Sequence, residues 1–265
     1  MEIYKYIAIV LVYRNTNDLL ECIHSMQAKV NSLKMIVVNA YYDDATTNEV
    51  RAIAEKYNCD FLNIENKGYS YGNNVGIEYA LKNYLFEYAI ISNPDITIQK
   101  WKDTQIEEAD VIAPMTVNLK GKKQNPISAR RINMSMSLIY YGIKKDNKIL
   151  LGLGILINKI SNSLFIVNAK LFHKRTIYAA HGSFLIIKKE AIEHLLPVYD
   201  DNMFLFGEEG VLAEKMRCHN FRTIYDDDII INHKEDGSMK LSDISLNDEL
   251  KKSNLYFYEK YIMQG

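Results

Sequence analysis

Four short runs of almost unbroken apolar residues divide the first hundred positions, and helical patterns separate them. They are residues 7–12 (IAIVLV), 35–38 (MIVV), 60–64 (DFLNI) and 88–92 (YAIIS). Runs of this length suit strands buried on both faces. Between the first two, Asn17 caps a helix that carries Leu19, Leu20, Ile23 and Met26 on one face. Residues 46–57 form a second helix with Val50, Ile53, Ala54 and Tyr57 together, and residues 71–85 a third. Strands alternating with helices predict an α/β fold, a mostly parallel, Rossmann-like sheet with helices on both faces.

Sheets of this kind bind ligands beyond the carboxyl ends of their strands. Polar residues gather at those ends here: Tyr13, Arg14 and Asn15; Asn39 with Asp43 and Asp44; Asn66 to Gly68; and Asn93, Pro94 and Asp95. Loops are polar in any case, but four such clusters on one rim point to a binding edge.

With 32 lysines and arginines against 33 aspartates and glutamates, net charge is −1, so no global field recruits nucleic acid or an anionic membrane. Cys22, Cys59 and Cys218 are odd in number and widely spaced, which suits reduced thiols in a cytosolic protein. The apolar run 7–12 is too short for a signal peptide's core, and the longest later one, residues 149–157, stops at Asn158-Lys159. A bilayer span needs about 20 apolar residues, so this run is not expected to cross one.

The middle, about 115–178, holds a basic patch (Lys120, Lys122, Lys123, Arg130 and Arg131), followed by apolar segments 134–143 and 149–160 that read as short helices. These suit ordinary packing, a membrane-facing surface or a dimer contact. Beyond them come a strand at 181–187, a helix at 189–196 ended by Pro197, a helix at 211–218, short strands at 222–225 and 229–231, and a helical tail at 248–261.

Pro94 cannot extend a central strand, so the chain turns there and projects Asp95. Gly68, Gly72 and Gly76 match neither a dinucleotide fingerprint nor a P-loop. They suit close helix packing, although amides near Gly68 and Gly72 could face an anion. Glu208 and Glu209, framed by glycines after an aromatic run, form a candidate general base whose pKa its neighbours should raise. The same placement suits a helix N-terminus favoured by the dipole. His233 follows an apolar strand, and with Asp95 it could hold Mn²⁺ or Mg²⁺ while diphosphate oxygens complete the shell.

In this order the pieces resemble the family 2 glycosyltransferases of GT-A fold, in particular the bacterial rhamnosyltransferase-like branch. The matching stretches are 9–15 (IVLVYRN), 35–44 (MIVVNAYYDD), 66–76 (NKGYSYGNNVG), 90–95 (IISNPD), 181–188 (HGSFLIIK), 200–209 (DDNMFLFGEE) and 231–238 (INHKEDGS), with a tail like 254–261 (NLYFYEKY). The resemblance implies that Asp95 and His233 bind the metal, and that Glu209, beside Glu208, is the catalytic base. Tyr13, Asn15, Asn39 and Asp44 would surround base and ribose, Asn66, Gly68 and Asn74 would shape the diphosphate side, and Asn93 would also contact the donor. Asn39 and Glu209 stand where aspartate is commoner in relatives, and Val211 where a second acidic residue often falls.

The expected activity is inverting transfer from dTDP-rhamnose or a UDP-hexose to a glycan or lipid-linked saccharide, in bacterial surface polysaccharide synthesis. The region near His181, Asp200 and Asp201 would serve the acceptor. The expected location is the cytoplasm or the inner face of the cell membrane. The resemblance implies a single GT-A domain: a donor half at 1–114, an acceptor and catalytic half at 115–235, and a helical tail at 236–265. The rivals are a sugar-nucleotide nucleotidyltransferase, which usually carries a basic glycine-rich loop after its first strand, and an inactive glycosyltransferase-like binding module.

Overall fold

The computed structural model describes residues 2–103, 109–172, 175–235 and 245–264. Its centre is a nine-stranded sheet. The apolar runs of the first half form β1 (Ile3–Val12), β2 (Leu33–Ala40), β3 (Asp60–Ile64) and β4 (Leu85–Ser92), separated by α1 (Thr16–Lys29), α2 (Asp44–Lys56) and α3 (Tyr69–Asn83). These strands pair in parallel, in the order β3-β2-β1-β4, so their carboxyl ends share one edge. The third strand is an edge strand and only half-buried. The first helix is capped by Asn15, whose side chain accepts the Asp18 amide at 3.2 Å, two residues earlier than expected.

Past β4 the sheet becomes mixed. After β5 (Ile96–Lys100) and β6 (Val111–Asn118), neither distinct in the sequence pattern, come α4 (Asn133–Lys144), α5 (Lys148–Phe172), β7 (Thr176–Ile177), β8 (Phe184–Lys188) and α6 (Lys189–Leu195). Then follow α7 (Glu208–Cys218), β9 (Thr223–His233), α8 (Leu246–Phe257) and a π-helical turn at Tyr258–Ile262. The eighth strand runs antiparallel to both β4 and β6, so strands from both halves of the chain share one sheet. The two short strands expected at 222–225 and 229–231 are one strand, irregularly registered where Pro114 meets Met115 on its neighbour.

Two apolar layers flank the sheet. One holds Leu19, Ile23 and Met26 of α1 against Val10 and Val37, and the other holds Ile77 and Ala80 of α3 against Ile9 and Val38. On that second side, a Cβ on Gly72 would lie 2.5 Å from Leu11 and one on Gly76 2.4 Å from Ile9, so these glycines serve close helix–sheet packing.

The segment expected as a second short helix is instead a 25-residue helix, α5. Asn158 and Lys159 do not stop it, and by length and composition alone its residues 148–167 could cross a bilayer. Asn158 and Lys159 interrupt the apolar run but not the helix, because their backbone continues the helical hydrogen bonding without difficulty.

Candidate functional site

A cavity of about 420 Å³ opens at the carboxyl ends of β1, β2 and β4. Ten of the residues singled out from the sequence line it: Tyr13, Asn66, Gly68, Asn93, Pro94, Asp95, His181, Glu208, Glu209 and His233. They come from four parts of the sheet edge and from the start of α7.

Asp95 sits in the turn between β4 and β5, where the pairing of Ile96 with His233 sets it beside the end of β9. Both side chains are buried, and His233 Nε2 lies 3.4 Å from Asp95 Oδ2. The other carboxylate oxygen, Oδ1, is buried with no hydrogen-bond partner. Buried carboxylate oxygens without a partner are costly, which makes this one an open acceptor aimed at a donor or a cation. His233 Nδ1 is held by Gln124 Oε1 at 2.9 Å, which fixes the ring's orientation.

Glu208 and Glu209 begin α7, which follows Gly207 in the left-handed region at φ 82°. Burial, then the charge of Glu209, pushes Glu208 well above the usual carboxylate range. Burial also raises Glu209, although backbone hydrogen bonds, one from the Gly182 amide to Oε1 at 3.4 Å, hold it down in part. Glu209 keeps an edge on the cavity, whereas Glu208 Oε2 is buried and without a partner.

His181, in the loop before β8, stacks edge-on to His233 with ring centroids 5.4 Å apart. Burial and the neighbouring imidazole lower its pKa to about 4, so it is neutral near pH 7. The Ser183 amide donates to Nδ1 at 3.2 Å, leaving the proton on Nε2.

Gly68 makes the opposite wall possible. Its φ is 101°, and a Cβ there would lie 2.2 Å from the Phe204 carbonyl oxygen. The Tyr69 amide donates to that oxygen at 2.7 Å and the Gly68 amide to Asn66 Oδ1 at 3.3 Å, so these two amides do not face an anion.

Four expected donor contacts lie away from the cavity. Asn15 caps α1, and Asp44 is exposed with its carboxylate accepting the Tyr41 hydroxyl at 3.2 Å. Asn39 is buried, donating to Thr47 Oγ1 at 3.2 Å and Asn63 Oδ1 at 2.8 Å. Strand side chains alternate, and Ala40 is the one that reaches the cavity. Asn74 donates to the Tyr199 carbonyl at 2.9 Å and to Asp201 at 2.7 Å, so it braces two segments. Asp200, expected near the acceptor, is taken up by Tyr256, Lys260 and Tyr261 of the tail. Residues 236–238 of the stretch 231–238 lie outside the described residues.

Gln124 and Glu235 line the cavity without having been singled out. They meet each other at 2.7 Å, and nothing in local pattern marks either. Four lining residues are carboxylates (Asp95, Glu208, Glu209 and Glu235), and among the described lining residues none is lysine or arginine. A diphosphate in such a cavity needs a cation between it and the wall. Among the described residues no three His, Cys, Asp or Glu side chains group to hold a metal, so Asp95 and His233 offer a two-residue anchor. That pair, with its open Oδ1, fits a cation whose remaining ligands come from phosphate oxygens and water.

No known sequence family matches the chain, and no curated protein does. Solved structures do. GalNAc-T7 with UDP, GalNAc and Mn²⁺ matches at a TM-score of 0.64 and 10% identity, over 97% of this chain and 48% of that one. TarS of S. aureus matches at 0.56 and 13%, over 98% and 44%. The mannosyltransferase PcManGT of Pyrobaculum calidifontis, with GDP-Man and Mn²⁺, matches at 0.53 and 14%, over 98% and 72%. The chain thus spans about half the length of the first two. At these identities the likeness is one of fold, and that fold is GT-A.

Proposed function

We propose that this chain is a metal-dependent, inverting glycosyltransferase using a nucleoside-diphosphate sugar. The observation that carries the reading is the convergence of Asp95, His233 and Glu209 on one cavity at the carboxyl edge of a parallel sheet. The neighbours' bound UDP, GDP-Man and Mn²⁺ support it.

Asp95 and His233 would hold Mn²⁺ or Mg²⁺, which supplies neutralisation of charge developing on the departing diphosphate. Glu209 takes the proton of an acceptor hydroxyl. The freed oxygen attacks the anomeric carbon, the bond from that carbon to the phosphate oxygen breaks, and the nucleoside diphosphate leaves from the opposite face. A carboxylate held above its ordinary pKa is the better base for this step. Neutral His181 adds no positive charge that would stabilise the base's ionised form.

The donor is dTDP-rhamnose or a UDP-hexose and the acceptor a glycan or lipid-linked saccharide of a bacterial surface polysaccharide, with the protein working in the cytoplasm. These assignments rest on the sequence resemblance. The test is Glu209→Gln with UDP- and dTDP-sugars and Mn²⁺. Donor binding should survive and transfer should fall by about 10²–10⁴-fold. Turnover close to that of the unaltered protein would sink the assignment.

A further inference from the structure

Helix α5 is amphipathic the wrong way round for a helix of a water-soluble domain. Ile149, Leu153, Leu156, Ile160, Leu164 and Val167 are between 46% and 74% exposed. At 100° per residue they fall in one narrow arc, a stripe about 27 Å long. The inward face carries Gly154, two asparagines and Phe165. Asn158 accepts the Ser128 hydroxyl at 2.9 Å and donates to the Ile127 carbonyl at 2.8 Å. Asn162 accepts the Ala129 amide at 2.8 Å and donates to the Pro126 and Ile127 carbonyls at 3.1 and 2.9 Å. Phe165, further along that face, meets Tyr225 with centroids 6.2 Å apart.

We propose that α5 docks this chain on an anionic lipid bilayer, lying in the plane of the interface with its apolar stripe among the acyl chains. Charge selects that partner. Although the whole chain carries −1, residues 111–189 contain fourteen lysines and arginines and one acidic residue, Asp146. Arg131, Lys144, Arg175, Lys188 and Lys189 pair with acids outside that stretch, and the excess of positive charge remains. Lys145, Lys148 and Lys159 are exposed at or beside the stripe, where headgroup phosphates would sit. A second copy meeting the same face would bring Lys145, Lys148 and Lys159 of each copy together, which disfavours a dimer there. The asparagine clamp keeps the helix from leaving the domain to span the bilayer, because doing so would strip five hydrogen bonds into hydrocarbon. An apolar face with a basic flank and a protein-bound reverse side is the arrangement of an interfacial helix. The clamped loop follows Gln124 and Asn125, whose side chains hold His233 and the His181 amide, so docking face and cavity share one loop.

The inference stands apart from the transferase reading, and its test uses neither donor nor metal. Full-length protein is floated with vesicles of phosphatidylcholine alone, or with about 30% phosphatidylglycerol. The expected result is flotation with the anionic vesicles, at least about tenfold stronger than with neutral ones and weakened by salt. The double variant Leu156→Glu, Ile160→Glu should lose at least about tenfold of that binding with its thermal unfolding unchanged, since both positions are exposed. Failure to float with either vesicle, flotation indifferent to the double variant, or a concentration-dependent dimer that the variant dissolves would each overturn the proposal.

Discussion

His233 Nε2 lies 3.4 Å from Asp95 Oδ2, although 138 positions separate them in the chain. The contact is a product of strand register. Antiparallel pairing sets Ile96 opposite His233, and the Lys234 amide donates to the Asp95 carbonyl at 3.0 Å. Backbone pairing places the two residues, Gln124 Oε1 holds the His233 ring through Nδ1 at 2.9 Å, and Asp95 Oδ1 is left without a partner. Asp95→Asn and His233→Ala should each lower metal-dependent hydrolysis of a nucleotide-sugar by about 10²-fold, with circular dichroism unchanged. The check is a Mn²⁺ titration of hydrolysis rate. An Asp95→Asn protein with the unaltered metal dependence would remove the carboxylate from the metal site.

Burial raises the pKa of Glu209, so the base is ionised only above the ordinary carboxylate range. Transfer at saturating donor and acceptor should therefore rise with pH at values above the ordinary glutamate range. Glu209→Gln should abolish the rise together with the rate. A pH profile of kcat measures this, and a residual Glu209→Gln rate that kept the same rise would assign the titration to another group.

Glu208 gives a stability prediction of opposite sense to the usual acidic residue. Its pKa is raised on folding by burial and by Glu209, so the folded state holds a proton that the unfolded chain releases. Its contribution is whole below the unfolded value of about 4.3 and is lost as pH rises through the folded pKa. Glu208→Gln removes that loss. The variant should match the unaltered protein near pH 4 and melt at a higher temperature than it at pH 8. Thermal melts at the two pH values decide it.

The first half of the fold was legible because β1, β2 and β4 are apolar strands inside the sheet and the intervening helices carry apolar stripes, patterns with clear periods. The edge strand β5 and the mixed-polarity strand β6 lack those periods, and their pairing partner, β9, lies more than a hundred residues away. Asp95 was legible because a proline after an apolar strand forces a turn at the binding rim. Asn39 misled because position on the rim was visible while the face of the strand was not. Gln124 was invisible because it reaches the cavity through tertiary contact alone, from a loop folded back on β6, and Glu235, two residues past the end of β9, gained its place only through its contacts with Gln124 and Asn118. In α5 the periodicity was present but inverted, and a run broken by asparagines reads as interrupted until their hydrogen-bond partners are known.

Gly68 joins α3 to the segment before α7 with no room for a side chain. A Cβ would overlap the Phe204 carbonyl, and φ is already in the left-handed region. Gly68→Ala should cost about 2–4 kcal/mol, combining strain with displacement of a backbone carbonyl. Donor affinity should weaken with it, because Gly68 and Phe204 both line the cavity. Urea unfolding and calorimetric titration with UDP report the two effects. A variant of unchanged stability would show that the 204 segment yields freely.

Asp200 ties the tail to the domain. Its carboxylate accepts from Lys260 at 2.7 Å, Tyr261 at 2.8 Å and Tyr256 at 2.9 Å. Burial opposes its charge, yet the bonds from Lys260, Asn202 and Tyr261 outweigh that and hold the carboxyl well below its ordinary range. The stability it contributes is present above the unfolded pKa of about 3.9 and is lost as pH falls below it toward the folded value. Asp200→Ala leaves Lys260 and two tyrosine hydroxyls without their common acceptor, at about 2–3 kcal/mol at pH 7, moderated by the exposure of Lys260. The loss should appear first at the tail, because Tyr256 and Tyr261 belong to α8 and the turn that ends it. Limited proteolysis should cut the variant near residues 256–262 at a rate the unaltered protein shows only below about pH 4. Equal resistance of the two proteins at pH 7 would mean that the aromatic packing of Tyr258 on Tyr140, centroids 4.3 Å apart, holds the tail without Asp200.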